Sequence, residues 1–348
     1  MSDAGQDAGG PSWRPAVLWH RDGGRLVCDL CPSACVLPAD GPGACRVRRR
    51  RGGVLETATF ASAVRHWQPV ERKPLYHFRP GLPTLTLAAP GCTFRCDYCL
   101  NAPLSQYGRD ADLPWTGAAA DPAALLAAAA ARGAGIALSY SEPGLAAELT
   151  LALHQAAQAQ GGAVPILWKS NGYLTRAALD LLAPCLAAVN VDLKCADDAS
   201  HRRLTGAPLA PVLATLEGLR GHGVWLEVST PLIHGINDRP AAIRATARRV
   251  LALGPETPWH LVRFLPEHRL AALPPTPPAL LADAVAMARD LGLRHVYVER
   301  ALGDAGRRTC CPGCGAALIE RGRWRLTDNR LHGDGCPACG RPLAGVWS

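Results

Sequence analysis

The sequence predicts an α/β fold: a partial, open barrel of the (β/α)6 type, flanked by two small cysteine-rich modules. Short apolar stretches alternate with helical stretches along the middle of the chain, which favours a parallel sheet with helical crossovers. Six predicted strands are each followed by a helix, and a short seventh strand ends the series. A closed barrel of this architecture needs eight strands. Clusters of cysteines near both ends predict separate metal-bound modules.

Length and composition allow one large domain with appendices. The chain has 348 residues, 48% of them hydrophobic, and a formal charge of +8. This charge suits an anionic partner, nucleic acid included, but it fixes neither a partner nor a fold. The fourteen cysteines favour metal binding in a reducing cytoplasm, because the first residues contain no apolar signal segment. No run of ~20 apolar residues predicts a membrane span.

Changes in composition divide the chain into four segments. Residues 1–20 are rich in Gly, Ala, Asp and Pro, which predicts a flexible tail. Residues 21–66 form an N-terminal four-cysteine module, residues 67–302 form the barrel, and residues 303–348 form a C-terminal module that resembles a zinc ribbon.

The N-terminal module contains Cys28, Cys31, Cys35 and Cys45, with a Gly-Pro-Gly turn before the last. A domain this short lacks the core to fold alone and often depends on a metal. Zinc is the first interpretation and an auxiliary iron–sulfur cluster is the second. The basic run over residues 48–51 is typical of a solvated face, with a phosphate- or RNA-binding role as the minority interpretation.

The barrel elements follow in order from apolar runs and helix caps. Asp121, Thr175 and Asp238 are predicted N-caps. Strands are predicted over residues 82–88, 135–140, 164–169, 188–193, 224–228, 259–264 and 294–298, and helices over 122–132, 142–160, 175–186, 209–222, 238–253 and 278–291. A doubly wound open sheet is the second interpretation, but no Gly-x-Gly-x-x-Gly follows the first strand.

The loop after the first strand carries Cys92, Cys96 and Cys99, spaced Cys-x3-Cys-x2-Cys. Three thiolates can hold three irons of a [4Fe–4S] cubane and leave the fourth iron open for a small molecule. A zinc knuckle is the weaker alternative, because the loop contains no histidine. With Tyr98 before the last cysteine, the loop resembles the cluster loop of the radical S-adenosylmethionine (SAM) superfamily. The resemblance implies that SAM binds the open iron and that one electron cleaves it to methionine and a 5′-deoxyadenosyl radical.

Polar residues end one predicted strand after another, where barrels of this kind place their chemistry. They include Glu142 in the second strand's loop, Ser170 and Asn171, Asp192 and Lys194, then Glu227, Ser229 and Thr230, and finally His260 and Arg263. The resemblance implies that Glu142 accepts the SAM amino group, that Ser170, Asn171 and Asp192 contact the ribose, that Lys194 pairs with the carboxylate, and that Tyr98 and Leu100 lie near the adenine. A structural Asp192–Lys194 ion pair is the alternative.

Two Cys-x-x-Cys pairs lie near the end of the chain: Cys311 with Cys314, and Cys336 with Cys339. This spacing strongly predicts a tetrahedral zinc ribbon, with rubredoxin-like iron as the alternative. Arginines make the ribbon basic, namely Arg307, Arg308, Arg321, Arg323 and Arg325.

The combined motifs resemble a narrower family. These motifs are the cysteines at 28–35, the segments 73–78, 190–194 and 258–260, the cluster loop and the closing ribbon with residues 344–347. Together they resemble the radical SAM enzyme of the AmmeMemoRadiSam system, related to pyruvate formate-lyase activating enzymes. The sequence departs from that family at Cys195 and Leu265, so substrate details are not transferred. We expect Cys195 to be a small buried residue behind its strand rather than a thiol that takes part in the reaction.

The sequence is compatible with three functions. The first is an enzyme whose 5′-deoxyadenosyl radical abstracts hydrogen from an unknown substrate. The second is an activase that places a glycyl radical on a partner protein, and the third is a zinc-dependent RNA-binding protein. The resemblance implies an electron donor such as flavodoxin or ferredoxin, a cytoplasmic location and no membrane partner.

Overall fold

The centre of the structure is one eight-stranded sheet whose strands lie side by side in chain order. The computed structural model describes residues 10–109 and 113–348. The strands are β1 (Val64–Pro69), β2 (Pro83–Ala88), β3 (Gly135–Leu138), β4 (Ile166–Ser170), β5 (Ala188–Asp192), β6 (Trp225–Leu232), β7 (Trp259–Arg263) and β8 (Val296–Val298). Strands β2 to β8 run parallel, and β1 pairs antiparallel with β2. Within the described residues β1 and β8 do not pair with each other, so the predicted open, partial barrel is confirmed.

Helices cover the outer side of the sheet, as the alternating pattern predicts. The strands are nearly continuous apolar runs because a parallel sheet is covered on both faces; Ile136, Val191 and Val228 are fully buried. The helices are α1 (Ala102–Ser105), α2 (Pro122–Ala130), α3 (Ala147–Ala159), α4 (Arg176–Leu182), α5 (Asp198–Thr205), α6 (Ala210–Gly221), α7 (Pro240–Ala252) and α8 (Pro278–Asp290), with 3-10 turns at Val70–Arg72, Pro143–Ala146, Ala183–Cys185, His268–Leu270 and Asp304–Gly306. None of the helices in the described residues has the length and apolar character needed to cross a bilayer.

Two of the three predicted N-caps are confirmed. Asp121 accepts hydrogen bonds from two backbone N–H groups of α2, and Thr175 accepts one from Ala178. The prediction for Asp238 is wrong, because helix α7 begins one residue later and makes no side-chain cap bond. The Asp238 carboxylate instead accepts from the backbone N–H of Gly235 and pairs with His234.

The structure corrects three element predictions. Strand β6 continues to Leu232, beyond the predicted end at residue 228, because Ser229 to Leu232 remain paired with β7. Helix α5 was not predicted, since its residues are polar and few. Strand β1 was not predicted either, and it extends the sheet beside the cluster-bearing strand β2.

Within the predicted flexible tail, two short strands begin at Arg14 and at Trp19. Residues 1–9 lie outside the described residues. The N-terminal module consists of two small three-stranded sheets, one of Arg14–Pro15, Val54–Thr57 and Arg48–Arg51, the other of Trp19–Asp22, Arg25–Cys28 and Val36–Leu37. A further short pair joins Ala61–Ser62 to Ala118–Ala119. The basic run is not wholly a solvated face, because Arg48 is buried and pairs with Glu148 at 3.0 Å.

The C-terminal module is an antiparallel sheet of Thr309–Cys310, Ala317–Gly322 and Arg325–Asn329 that docks on the barrel. Buried Arg321 donates a hydrogen bond to the carbonyl of Tyr76 at 2.5 Å and lies over the Tyr76 ring. Near the end of the chain, Val346 forms a bridge with Phe78. The module is therefore fixed to the segment that enters the barrel.

Candidate active site

A cavity of about 290 Å³ lies at the carboxyl ends of the parallel strands. Its wall includes every residue that the sequence predicted for the cluster and for SAM, namely Cys92, Cys96, Tyr98, Cys99, Leu100, Glu142, Ser170, Asn171, Asp192 and Lys194. Since these residues come from four strand ends, the parallel sheet is what brings them together.

The cluster loop is held from both sides. Gly91 adopts φ +106°, and a Cβ on it would lie 2.8 Å from a methyl of Val47, so only glycine fits there. Phe94 is buried against the rings of Tyr173 and His201. The loop N–H of Arg95 donates to the carbonyl of Thr205 at the end of α5. These contacts fix the backbone from which the three thiols project.

Two of the three thiols of the loop, those of Cys92 and Cys99, lie within hydrogen-bond distance of N–H or O–H groups. The backbone N–H of Phe94 and the side-chain amide of Asn171 lie 3.4 and 3.5 Å from Cys92 Sγ, and Ser105 Oγ lies 3.2 Å from Cys99 Sγ. Burial raises the pKa of Cys96 to about 12 and raises that of Cys92 as well. A bound cation is therefore what would hold them as thiolates. Donors aimed at sulfur fit an anionic thiolate cluster.

Glu142 ties two strand ends to the cluster loop. Its carboxylate accepts hydrogen bonds from Ser170 Oγ at 2.7 Å and from the backbone N–H of Asn171 at 2.8 Å. Asn171 in turn donates to Thr93 Oγ1 at 2.9 Å. Burial raises the pKa of Glu142, although these donors oppose the rise. The residues predicted to contact SAM thus also position one another.

Asp192 lies between two lysines. Its carboxylate accepts from Lys194 Nζ at 2.6 Å and from Lys169 Nζ. Burial would raise the pKa of Asp192, but the two ammonium groups outweigh it and hold the value at about 2. The Lys194 ammonium also lies 5.3 Å from the centre of the Tyr98 ring. The Asp192–Lys194 ion pair, which was the alternative interpretation, is present. Both of its residues line the same cavity as the thiols.

Several lining residues were missed by sequence reasoning. Lys169 was missed because it is the last residue of the predicted strand 164–169 and not part of the loop after it. Tyr140 lines the same wall with φ +69°, unusual for a residue other than glycine, and its hydroxyl bonds to Gln68 and His66. Strained backbone of this kind is enriched at functional sites. In the sequence, the available signal was that Tyr140 is an aromatic residue at the end of a predicted strand.

Five residues expected at the barrel mouth do not line this cavity, namely Glu227, Ser229, Thr230, His260 and Arg263. Glu227 is near the start of β6 and accepts from the backbone N–H groups of Tyr76 and His77. His260 bonds to the same carboxylate at 2.6 Å. Arg263 donates to the carbonyl of Thr276. The expectation for this group is wrong. Strand β6 is longer than predicted, so its mouth lies at Pro231, and Val262 is the residue of β7 that lines the cavity.

Cys195 is fully buried, as expected, and packs with Leu204, Ile233 and Phe264. It is not among the residues that line the cavity, and neither is Leu265. Burial raises the pKa of Cys195 to about 12, so its thiol is protonated at neutral pH.

The C-terminal cysteines form a four-thiol site. Cys311 Sγ lies 3.6 Å from Cys339 Sγ, and Cys314 Sγ lies 3.6 Å from Cys336 Sγ. All four sulfurs are within 4.8 Å of one another. Metal–sulfur bonds of about 2.3 Å in a tetrahedron place sulfurs about 3.8 Å apart, so the set fits a single ion, zinc or iron.

Comparisons with known proteins agree with this geometry. Residues 87–246 match the family model of the radical SAM superfamily. The chain is 32% identical over 312 residues to an uncharacterised protein of Methanocaldococcus jannaschii, covering 88% of this chain and 91% of that protein. It is 33% identical over 140 residues to an isethionate sulfite-lyase activating enzyme of Nitratidesulfovibrio vulgaris, covering 40% of this chain and 43% of that enzyme.

A solved structure shares the fold. A radical SAM methyltransferase from Sphaerobacter thermophilus superposes with a TM-score of 0.50 at 19% identity, over 64% of this chain and 67% of that one. The three-thiol loop at the mouth of a partial parallel barrel, the family match and the long relative lead to one conclusion. The chain belongs to the radical SAM superfamily.

Proposed function

We propose that the protein binds a [4Fe–4S] cluster on Cys92, Cys96 and Cys99 and reductively cleaves SAM. The observation that carries the proposal is the single cavity lined by these thiols and by the residues expected to hold SAM. The cavity wall contains three cysteines and no fourth. Three thiolates leave one iron of a cubane open for the amino and carboxylate groups of SAM.

The bound cluster and SAM supply a 5′-deoxyadenosyl radical that abstracts a hydrogen atom from a substrate not yet identified. The side chains of this protein bind and orient. The Lys194 ammonium lies in the cavity wall and suits the SAM carboxylate. Glu142 has accepting capacity beyond its existing bonds for an N–H of the SAM amino group. Ser170, Asn171 and Asp192 face the same space and suit the ribose hydroxyls, and Tyr98 and Leu100 suit the adenine.

A glycyl-radical activating enzyme is the second candidate. The stretch shared with the isethionate sulfite-lyase activating enzyme favours it, although the match covers 43% of that enzyme. Under this candidate the hydrogen comes from a glycine of a partner protein. Membership of the AmmeMemoRadiSam system, as the motifs suggest, is compatible with either candidate.

The RNA-binding candidate receives less support. Two of the five ribbon arginines, Arg307 and Arg321, are buried and bonded within the protein. They are thus not available to phosphates. We further propose a cytoplasmic enzyme that takes its electron from a donor such as flavodoxin or ferredoxin, in line with the oxygen-sensitive cluster.

The test is replacement of Cys92, Cys96 and Cys99 by Ala, followed by an anaerobic assay for 5′-deoxyadenosine with dithionite as reductant. We expect the variant to lose SAM cleavage completely. The matched control is Cys185→Ala, a buried cysteine outside the three cysteine sets, which should keep it. Cleavage that survives in the triple variant would contradict the proposal.

The two enzyme candidates are separated by electron paramagnetic resonance. A persistent glycyl radical on a co-expressed partner, formed only with the wild-type loop, would favour the activase. Deoxyadenosine formation with a small molecule or another macromolecule, and no glycyl signal, would favour the first candidate.

A further inference from the structure

The N-terminal module contains a second cavity, lined by the thiols of Cys28, Cys31, Cys35 and Cys45. Burial raises the pKa of Cys31 to about 12 and raises that of Cys28 and Cys45. Four thiols around one space, two of them buried and two half-buried, are typical of a metal site. A single zinc ion and an iron–sulfur cluster require different distances between the four sulfur atoms.

The C-terminal set shows what a single-ion site looks like in this protein. Its sulfurs all lie within 4.8 Å of one another. In residues 10–109 and 113–348, no other group of three Cys, His, Asp or Glu side chains meets that spacing. The N-terminal sulfurs therefore share a cavity without converging on one point. The three sulfurs of the cluster loop likewise share a cavity without converging on one point. A cubane requires this arrangement, because each thiolate binds a different iron.

A buried arginine lining the second cavity, Arg48, has two nitrogen atoms without an acceptor in the described part of the chain. Arg48 Nη2 donates to Glu148 Oε1 and to the carbonyl of Val17. Its Nε and Nη1 have no partner among the described residues, although the side chain is only 1% exposed. An unpaired buried donor costs about 1–3 kcal/mol. The thiolates and sulfides of an anionic cluster are acceptors that would satisfy these N–H groups.

The second cavity lies directly behind the cluster loop. Thr93 of that loop lines the second cavity, and its hydroxyl accepts a hydrogen bond from Asn171 of the first. The guanidinium of Arg109 bridges the two, donating to the carbonyl of Ala44 at 2.9 Å and to that of Cys92 at 2.7 Å. Ala44 adjoins Cys45 of the N-terminal set, and Cys92 belongs to the cluster loop. The two sites therefore share a wall.

We propose that Cys28, Cys31, Cys35 and Cys45 ligate a second [4Fe–4S] cluster and not a zinc ion. Four thiolates leave no iron open, so this cluster carries an electron and does not bind SAM. A low-potential donor gives up one electron, and this electron reduces the second cluster. The proposal does not depend on the proposed function, because it concerns a separate set of ligands.

The experiment uses the Cys92/Cys96/Cys99→Ala variant, purified anaerobically without added iron, so that the loop cluster does not contribute. We expect about four irons and about four acid-labile sulfides per chain, with zinc confined to the C-terminal set. Dithionite reduction should give the resonance of a reduced cubane. Iron below about one per chain, whether zinc replaces it or the module stays empty, would overturn the proposal.

A second measurement covers the case in which that variant fails to fold. The wild-type protein should contain about eight irons per chain. Cys45→Ala should lower this number, whereas Cys185→Ala, which alters a buried cysteine outside the metal sets, should leave it unchanged. A wild-type protein with about four irons and about two zinc ions would also overturn the proposal.

Discussion

Asp192 shows how one carboxylate organises the wall of the cavity. It separates two ammonium groups, those of Lys169 and Lys194, which would otherwise repel each other in a half-buried site. Because the folded protein favours its ionised form, its pKa is about 2 instead of the usual 3.8. A depressed carboxylate pKa contributes stability above the unfolded pKa, and that stability is lost as the pH falls from about 4 to about 2.

The first prediction follows from the lowered pKa of Asp192. Asp192→Asn should lower the free energy of unfolding by on the order of 2 kcal/mol at pH 7. The difference from the wild type should shrink as the pH falls below 4, measured by denaturant unfolding at each pH. Asp180→Asn, which alters an exposed carboxylate paired with Arg176, is the control and should change little. A difference that stays constant between pH 7 and pH 3 would contradict the prediction.

The second prediction concerns Cys195, which is buried behind the strand that carries Asp192. Cys195→Ala should cost ~1 kcal/mol of stability, because a small buried group is removed. Deoxyadenosine formation per bound cluster should remain at the wild-type rate in an anaerobic assay. If the rate falls while iron content is unchanged, Cys195 contributes to the reaction.

At the scale of elements, the cluster loop depends on the close approach of the Val47 side chain to the backbone of Gly91. Gly91→Ala forces a side chain into Val47 and an unfavourable φ, with a cost of about 1–3 kcal/mol. We expect this variant to lose cluster iron while its circular dichroism is retained.

Gly161→Ala is the matched control for that third prediction. Gly161 also has a positive φ of +86°, but a Cβ there would meet nothing within 4 Å. This control should keep its iron, and Gly91→Ala combined with Val47→Ala should recover part of the loss. Equal iron loss in both glycine variants would show that the contact with Val47 is unimportant.

Much of the sheet was predictable because its strands are short apolar runs that end in polar residues. Strand lengths were less predictable. Strand β6 was predicted to end at residue 228, yet it continues through Pro231, which leaves Glu227 and Ser229 within the strand and not at the mouth. Lys169 was hidden within a strand, and only the partner Asp192, distant in sequence, gives it a place at the site. Local patterns do not contain such pairings.

At the scale of the whole molecule, the C-terminal ribbon is joined to the barrel by buried polar contacts. Arg321 bonds to the carbonyl of Tyr76, and His77 bonds to the carbonyl of Ala344. These contacts require a folded ribbon, and a four-thiolate site folds only with its metal.

The fourth prediction is that Cys314→Ser with Cys339→Ser removes about one metal ion per chain, zinc or iron, and lowers the melting temperature by several degrees. Both cysteines are exposed, so the substitutions add no steric conflict to the core. Metal analysis and scanning calorimetry check the result. Loss of the metal with an unchanged melting temperature would show that the ribbon does not support the barrel.

The docking of Arg321 on Tyr76 also has a consequence for biosynthesis. Each strand of the sheet pairs with the one made just before it, so the barrel can assemble from its beginning while the ribosome is still working. The contact between Arg321 and Tyr76, however, joins residues 245 apart in the chain. The segment entering the barrel must therefore wait for the last part of the chain to be synthesised, and nascent chains lacking the ribbon should be the species most in need of chaperones.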